Sequence, residues 1–133
     1  MTMEMIGGAT VAWPDEGGAI AEAERGPLML GPEQNDGAYV AMIGAGRGND
    51  KGPPLHFHPH TDEGFYIGDG EMTFEFEDRE FVAGTGTFVF VPRGLVHTAR
   101  NAGDAPMRGL IIISPGAAEH VFEYVRSEPA PER

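Results

Sequence analysis

The sequence predicts an all-β sandwich or barrel, and two observations lead to this fold class. Gly 20 and Pro 11 interrupt the 133 residues every few positions. Between them lie short runs in which apolar and polar residues alternate with a period of two, as in a half-buried strand. The clearest run is "EMTFEFED" (71–78), in which Met72, Phe74 and Phe76 share one face and glutamates occupy the other. One face of this strand is therefore expected to be buried and the other solvated.

The strands can be followed in chain order, and their spacing predicts roughly nine of them. Asp69-Gly70 has the composition of a tight turn that requires positive φ, so residues 63–68 and 71–77 are predicted to pair as a hairpin. A second turn is expected at Asp78-Arg79. The strand candidates besides the histidine-rich segment are residues 27–30, 38–44, 63–68, 71–77, 80–84, 86–92, 95–101 and 106–113.

The two ends of the chain are expected to differ from this barrel, which the pattern assigns to residues 25–114 of a single domain covering 1–133. Residues 1–24 are predicted to form an irregular N-terminal extension, or one that packs on a partner chain. Residues 115–126 are predicted to form one short C-terminal helix with Ser114 as N-cap and Pro115 at the first position. Its apolar stripe would be Ala118, Val121, Phe122 and Val125, and His120 would lie on its exposed side.

Composition limits the partners and the chemistry. The formal net charge is −12 and the nine cations are scattered, so neither nucleic acid nor an anionic membrane surface is an expected partner. The absence of cysteine excludes disulfides and thiolate metal sites, and any metal must be bound by nitrogen and oxygen. No basic leader and no stretch of about 18 apolar residues is present, so a cytoplasmic protein is expected.

The segment "LHFHPHTDEGFYIGDG" (55–70) contains three histidines in five residues. His56, His58 and His60 would share one face if the strand continues through Pro59, and Glu63 could add a carboxylate. Such nitrogen and oxygen ligands suit zinc, iron, manganese, nickel or copper better than calcium or magnesium. The alternative is a loop of surface histidines, and this segment alone leaves both interpretations open.

A second segment, "GTFVFVPRGLVHTARN" (86–101), has the spacing G-x5-P-x-G-x2-H-x3-N. The two segments together resemble the cupin superfamily, whose first motif is G-x5-H-x-H-x(3 to 4)-E-x6-G and whose second is the pattern just given. His56, His58, Glu63 and Gly70 match the first motif, whereas Asp50 replaces its leading glycine. That departure concerns a turn and not a ligand.

The resemblance implies a fold, a metal site and an assembly. The fold would be the cupin double-stranded β-helix, a jelly-roll barrel. The metal ligands would be His56, His58, Glu63 and His97, holding one divalent transition metal (Fe, Ni, Mn, Zn or Cu). The short "HxHPHxDE" segment is most similar to quercetinase-like members, and the resemblance also implies a homodimer.

Further residues are assigned from strand alternation and position. Phe65, Phe90 and Met42 are expected to face the interior, where they would contact a small apolar or aromatic substrate or simply pack in the core. His60 would be an alternate ligand or an outer partner of the site, or else a solvent-facing residue. Glu63 is also the candidate catalytic base.

Three functions are compatible with this pattern. The first is an O2-dependent dioxygenase in which Glu63 accepts a proton from an enol or phenol. The second is a non-redox metal-dependent cyclase, isomerase or decarboxylase of a polyketide-like substrate. The third is a small-molecule binding module without turnover.

Overall fold

A computed structural model of the chain describes residues 2–13, 28–118 and 123–124, and these residues form β-strands connected by turns. Among them, no helix is long and apolar enough to cross a bilayer. The strands are β1 (Thr2–Ile6), β2 (Ala9–Trp13), β3 (Leu28–Leu30), β4 (Val40–Gly46), β5 (His56–Phe57), β6 (Asp62–Asp69), β7 (Glu71–Glu75), β8 (Glu80–Gly84), β9 (Phe88–Val91), β10 (Thr98–Arg100), β11 (Met107–Ser114) and β12 (Glu123–Tyr124). Single 3-10 turns span Pro32–Gln34 and Gly116–Ala118. The all-β prediction is confirmed.

Two antiparallel sheets enclose the core. The larger has the order β3-β4-β11-β6-β9 and the smaller the order β10-β7-β8. Two further pairs, β1-β2 and β12-β5, complete the described strands. Because strands adjacent in sequence are mostly distributed between sheets, the chain crosses repeatedly from one layer to the other. This arrangement brings residues far apart in sequence to the same interior.

The core lies between the two sheets and is built on aromatic contacts. Phe74 of β7 is fully buried, with its ring centroid 5.1 Å from that of Phe65 and 5.5 Å from that of Phe81. The predicted alternation along β6 is confirmed, since Glu63, Phe65 and Ile67 are buried. Met72 and Phe76 pack against the same cluster, as the period of two in their segment indicated.

The predicted hairpin between residues 63–68 and 71–77 is wrong. Strand β6 pairs with β11 and β9, whereas β7 pairs with β8 and β10. The turn at Gly70 does have positive φ (92°), but it carries the chain from one sheet to the other. A Cβ at Gly70 would lie 2.9 Å from the Cα of Met107, so the backbones approach too closely here for any side chain. The second predicted turn, after β7, is present and closes a hairpin with β8, and Phe76 N–H donates to Arg79 O across it (2.8 Å).

The predicted C-terminal helix over 115–126 is also wrong where the structure describes it. Only Gly116–Ala118 form a 3-10 turn, and Glu123–Tyr124 are extended and pair with Phe57 and His56. Backbone pairing with β5 satisfies these groups in an extended conformation and overrides a weak local preference for helix. His120, Val121 and Phe122 lie outside the described residues.

The N-terminal segment was predicted to be irregular, and for residues 2–13 this is wrong. Strands β1 and β2 form a hairpin whose turn residues, Gly7 and Gly8, have φ of 59° and 88°. Positive φ at both central positions is the geometry that a two-residue hairpin turn requires, and glycine adopts it without strain. None of the residues in this hairpin is buried, and Met5, Ile6 and Trp13 are exposed.

Candidate metal centre

Two segments of backbone meet where the histidines lie. His56 and His97 are paired across an antiparallel bridge, with N–H···O distances of 3.0 Å and 2.9 Å. The N–H of Gly94 donates to the carbonyl of His58 (2.8 Å), and Gly94 has φ of 83° in the turn that begins at Pro92. This turn, closed by the N–H of Leu95 donating to the carbonyl of Pro92 (3.2 Å), therefore joins the second segment to the first and presents His97 inward.

Three imidazoles converge at this junction. One ring nitrogen from each of His56, His58 and His97 lies within 4.8 Å of the others, so the three residues could hold a metal ion. The ring centroids of His56 and His97 are 4.7 Å apart, and that of His58 lies 5.2 Å and 5.8 Å from them. His97 is 2% exposed and His58 9% exposed. His97 is thus shielded from water, whereas His56 is only half-buried.

Backbone carbonyls orient two of these rings. Nδ1 of His56 lies 2.9 Å from the carbonyl oxygen of Pro54, and Nδ1 of His97 lies 2.9 Å from that of Leu95. A carbonyl oxygen can only accept, so each Nδ1 carries the proton and each Nε2 presents its lone pair. This is the tautomer that binds a metal through Nε2, and a carbonyl partner on the other nitrogen is the usual support for such a ligand.

Glu63 approaches the same point from β6. Its Oε1 lies 2.9 Å from Nε2 of His97 and 3.3 Å from Nε2 of His58. The residue is 7% exposed, yet Oε1 accepts no hydrogen bond from the described part of the chain as long as the facing Nε2 atoms carry no proton. A buried carboxylate oxygen facing imidazole lone pairs is unfavourable unless a cation lies between them. The donor set therefore fits a divalent transition metal, with His56, His58, His97 and Glu63 as the residues that would hold it.

Protons compete with a metal ion for the histidine nitrogens, so metal binding is expected to depend on pH. Burial lowers the pKa of His97, but its contacts with Glu63 and with the Leu95 carbonyl outweigh this and raise the pKa above the ordinary value of 6.5. We therefore expect metal release to begin above pH 6.5 on acidification, measured with a chromophoric chelator in solution. In the metal-free protein the raised pKa stabilises the fold below pH 6.5, and this contribution is lost as pH rises through the folded-state pKa. Metal retention down to about pH 4, where carboxylates titrate, would contradict this expectation.

An ion pair joins the strand that carries Glu63 to the turn that precedes His97. Arg93 donates to Asp62 from its backbone N–H (2.9 Å), Nε (3.1 Å) and one terminal nitrogen (3.1 Å). These side-chain and backbone hydrogen bonds lower the pKa of Asp62 below its ordinary value. No local pattern in the sequence indicates this pair, because the two residues are distant along the chain.

Two other motif residues make hydrogen bonds with backbone groups. The Asn101 side chain is 2% exposed and donates to the carbonyls of Ala105 (2.8 Å) and Gly46 (3.3 Å), as expected for a residue that closes a turn. Asp50, which replaces the leading glycine of the first motif, accepts from the N–H of Gly52 (3.1 Å). The departure at Asp50 therefore concerns a loop and leaves the histidine cluster intact.

The other predicted site residues are scattered. His60 is exposed and lies outside the group of three histidines. The interior position predicted for Phe90 is wrong, since it is 60% exposed on the outer face of its sheet. Val89 and Val91, the neighbours of Phe90 in β9, are buried, so strand alternation points the Phe90 side chain to the outer face. The prediction had placed the wrong alternating set of residues inside.

Phe65 and Met42 do face the interior, but they line an apolar cavity rather than the histidine cluster. This cavity has a volume of about 200 Å³, and its interior side chains are Met42, Phe65, Ile67, Met72, Met107 and Ile111. None of the three histidines lines it.

A different pocket opens beside the histidines. It has a volume of about 160 Å³ and is lined by Pro53, His56, His58 and Tyr124. Tyr124 pairs with His56 in the β12-β5 ladder, and the two ring centroids are 6.0 Å apart. Tyr124 was not predicted as a site residue, because the sequence pattern favoured a helix over residues 115–126.

A family model described as a cupin domain matches residues 47–113, just over half of the chain. The chain belongs to the cupin family. The match contains both motif segments and all four residues of the candidate metal centre. The double-stranded β-helix expected from the motifs is thereby confirmed, with the strands described above.

Solved cupin structures show the same fold. A conserved protein with a double-stranded β-helix domain from Klebsiella pneumoniae has a TM-score of 0.61 at 20% identity, covering 76% of this chain and 85% of that one. A cupin-like protein from Thermotoga maritima has a TM-score of 0.60 at 17% identity, covering 74% of each chain. At these identities the likeness concerns the fold.

Two relatives from Streptomyces are similar in sequence. The tetracenomycin polyketide synthase protein TcmJ of Streptomyces glaucescens is 32% identical over 57% of this chain and 51% of its own length. Protein SchB of Streptomyces halstedii is 27% identical over 58% of this chain and 56% of its own. The chain therefore spans about half the length of the curated relatives it matches.

Proposed function

We propose that this cupin is a metal-dependent enzyme acting on a small, planar, enolisable molecule of the polyketide type. The observation that carries the proposal is the convergence of three imidazole nitrogens and a buried carboxylate oxygen that accepts no hydrogen bond from the described residues. A purely structural cluster would be expected to satisfy that oxygen. The polyketide class is supported by the printed name of TcmJ, and the apolar and aromatic walls beside the histidines suit such a molecule.

The residues of the site have distinct roles in this proposal. His56, His58 and His97 would hold a divalent ion, which when bound polarises substrate oxygen as a Lewis acid. Glu63 would be a ligand and also the catalytic base, since its carboxylate lies at the point where an enol or phenol proton would be released. Arg93 and Asp62 would keep the strand of Glu63 and the turn before His97 in register.

Two reaction classes use these same residues. The relative's polyketide synthase name favours a non-redox reaction, in which loss of a proton leads to cyclisation, isomerisation or decarboxylation. The second candidate is the quercetinase-like dioxygenase expected from the short histidine motif, for which O2 is the co-substrate. Both would operate in the cytoplasm, the location expected from the sequence.

Metal content and oxygen uptake together test the proposal. Protein purified without chelator or affinity nickel would be analysed for its elements and then assayed with diketones, polyphenols and flavonols. About one transition metal per chain with substrate turnover and no oxygen uptake would support the non-redox reaction. Substrate-dependent oxygen uptake would support the dioxygenase. Turnover that is unchanged after complete metal removal would contradict a metal-dependent enzyme.

We also propose that the enzyme is a homodimer formed across the outer face of the five-stranded sheet. Within the described part of the chain, five large apolar residues are exposed there by 39–62%: Ile43, Tyr66, Phe88, Phe90 and Ile112. Their register places Ile43, Tyr66 and Phe88 in one row across the sheet. Soluble monomers rarely expose so much contiguous apolar surface, and a second copy of the same face would cover it.

Replacing Phe88 and Phe90 together by aspartate is expected to convert the dimer to a monomer, because four charges would then face one another across the two-fold axis. Light scattering after size exclusion would measure the mass. Glu33→Lys, an exposed change elsewhere on the surface, is the control that should leave the mass unchanged. A double variant that stays dimeric would place the interface elsewhere.

A further inference from the structure

The pocket beside the histidines has an aromatic wall that comes from the C-terminal strand. Tyr124 lines this pocket together with Pro53, His56 and His58, and its ring is inclined at 69° to the ring of His56. Antiparallel pairing with His56 fixes where the backbone of Tyr124 lies. A residue far from the first histidine in sequence therefore lies beside two of the candidate metal ligands, His56 and His58.

The composition of this pocket indicates the chemistry of its ligand. Two walls are flat and largely apolar, the ring of Tyr124 and the ring of Pro53, and the remaining walls are the two imidazoles. Its volume of about 160 Å³ is sufficient for one aromatic ring, since a cavity of about 150 Å³ accommodates benzene. Tyr124 is 55% exposed, so its ring still has area that a ligand could cover. Among the residues that the structure describes, no Lys or Arg lines the pocket.

We propose that Tyr124 is a substrate-binding residue whose ring stacks on an aromatic ring of a ligand that is held at the metal by two oxygen atoms. The inference rests on the proposed metal-dependent function and names the ligand class more closely, as an aromatic ring carrying adjacent hydroxyl and carbonyl oxygens. The oxygens would reach the ion, and the ring would lie between Tyr124 and Pro53. Aromatic rings prefer offset or inclined contacts at centroid separations of about 4.5–7 Å, and Tyr124 already makes one such contact with His56 at 6.0 Å.

The test compares two chelators that bind metals through the same type of oxygen pair. Salicylate has an aromatic ring and acetylacetone has none. Affinities of both would be measured by calorimetry on the zinc-loaded protein, with zinc affinity measured separately. Tyr124→Ala is expected to weaken salicylate about five- to tenfold and acetylacetone less than about twofold, because only the aromatic chelator loses a stacking partner. Tyr124→Phe keeps the ring and is expected to bind both chelators as the unmodified protein does.

Glu123→Ala is the matched control, because it alters the same short strand at the exposed neighbouring position. It should leave both affinities unchanged. Equal weakening of the two chelators by Tyr124→Ala, or a loss in Tyr124→Phe as large as in Tyr124→Ala, would overturn the stacking role. Normal zinc binding with unchanged salicylate affinity in Tyr124→Ala would also overturn it while leaving the metal centre intact. Absence of zinc binding in the unmodified protein would overturn the proposed function and this inference together.

Discussion

His97→Ala is expected to lower metal affinity by more than about 100-fold, since loss of even an outer hydrogen-bond partner of a ligand costs about 10- to 100-fold. His97 is the most buried of the three histidines and is the one whose Nε2 lies nearest Glu63. Its removal leaves the carboxylate facing an empty volume and removes the carbonyl-oriented lone pair. Catalytic activity should fall to background with the metal. Elemental analysis and competition with a chromophoric chelator would measure the loss.

His60→Ala provides the matched control for that experiment. It removes an imidazole from the same histidine-rich segment, but His60 is exposed and lies outside the group. Metal content near that of the unmodified protein is expected. If His60→Ala lost metal while His97→Ala kept it, the ligand set would differ from the one assigned here. Circular dichroism of both variants would separate a lost ligand from a lost fold.

Phe74→Ala is expected to reduce the free energy of unfolding by about 3–5 kcal/mol, the range found for truncating a buried phenylalanine. Phe74 is 0% exposed and lies between Phe65 and Phe81. Removal of the Phe74 ring would leave a cavity lined by Phe65 and Phe81. These two rings could fill the cavity only by giving up their present contacts. Urea denaturation followed by tryptophan fluorescence or circular dichroism would give the change in stability.

The control for Phe74 is Val82→Ala on the neighbouring strand. Val82 is 58% exposed, so the change should stay within about 0.5 kcal/mol. A loss of less than about 1 kcal/mol in Phe74→Ala would mean that the two sheets are not held together through this ring. Because many small domains are stable by only about 5–15 kcal/mol, the expected loss is a large share of the total.

The parts of this fold that could be predicted from the sequence are those controlled by neighbouring residues. Alternation in β6 and β7 identified Phe65 and Phe74 as interior residues, because side-chain direction depends only on strand geometry. The turn at Gly70 was predicted for the same reason. The pairing of the strands on either side of this turn could not be predicted, because the sheet that a strand joins depends on distant partners such as β11.

In the candidate site, too, the residues that could be predicted are those with a local sequence pattern. His56, His58, Glu63 and His97 were chosen by motif spacing, and the structure brings them together. Tyr124 could not be found in this way, since its amphipathic neighbourhood is equally compatible with a helix and its place is decided by pairing with β5. The ion pair of Asp62 with Arg93 was missed because it joins two segments that carry no shared local pattern.

An ion held by both His56 and His97 would cross-link two distant parts of the chain, which the backbone bridge between these residues brings together. An ion that binds only the folded state stabilises it by about 2.7 kcal/mol at a free concentration 100 times its dissociation constant. Unfolding would have to release the ion, and the ends of the long intervening segment would then gain the freedom that the cross-link had removed. The melting temperature of this barrel should therefore rise with metal concentration, so a cell short of the metal would hold less of the folded protein.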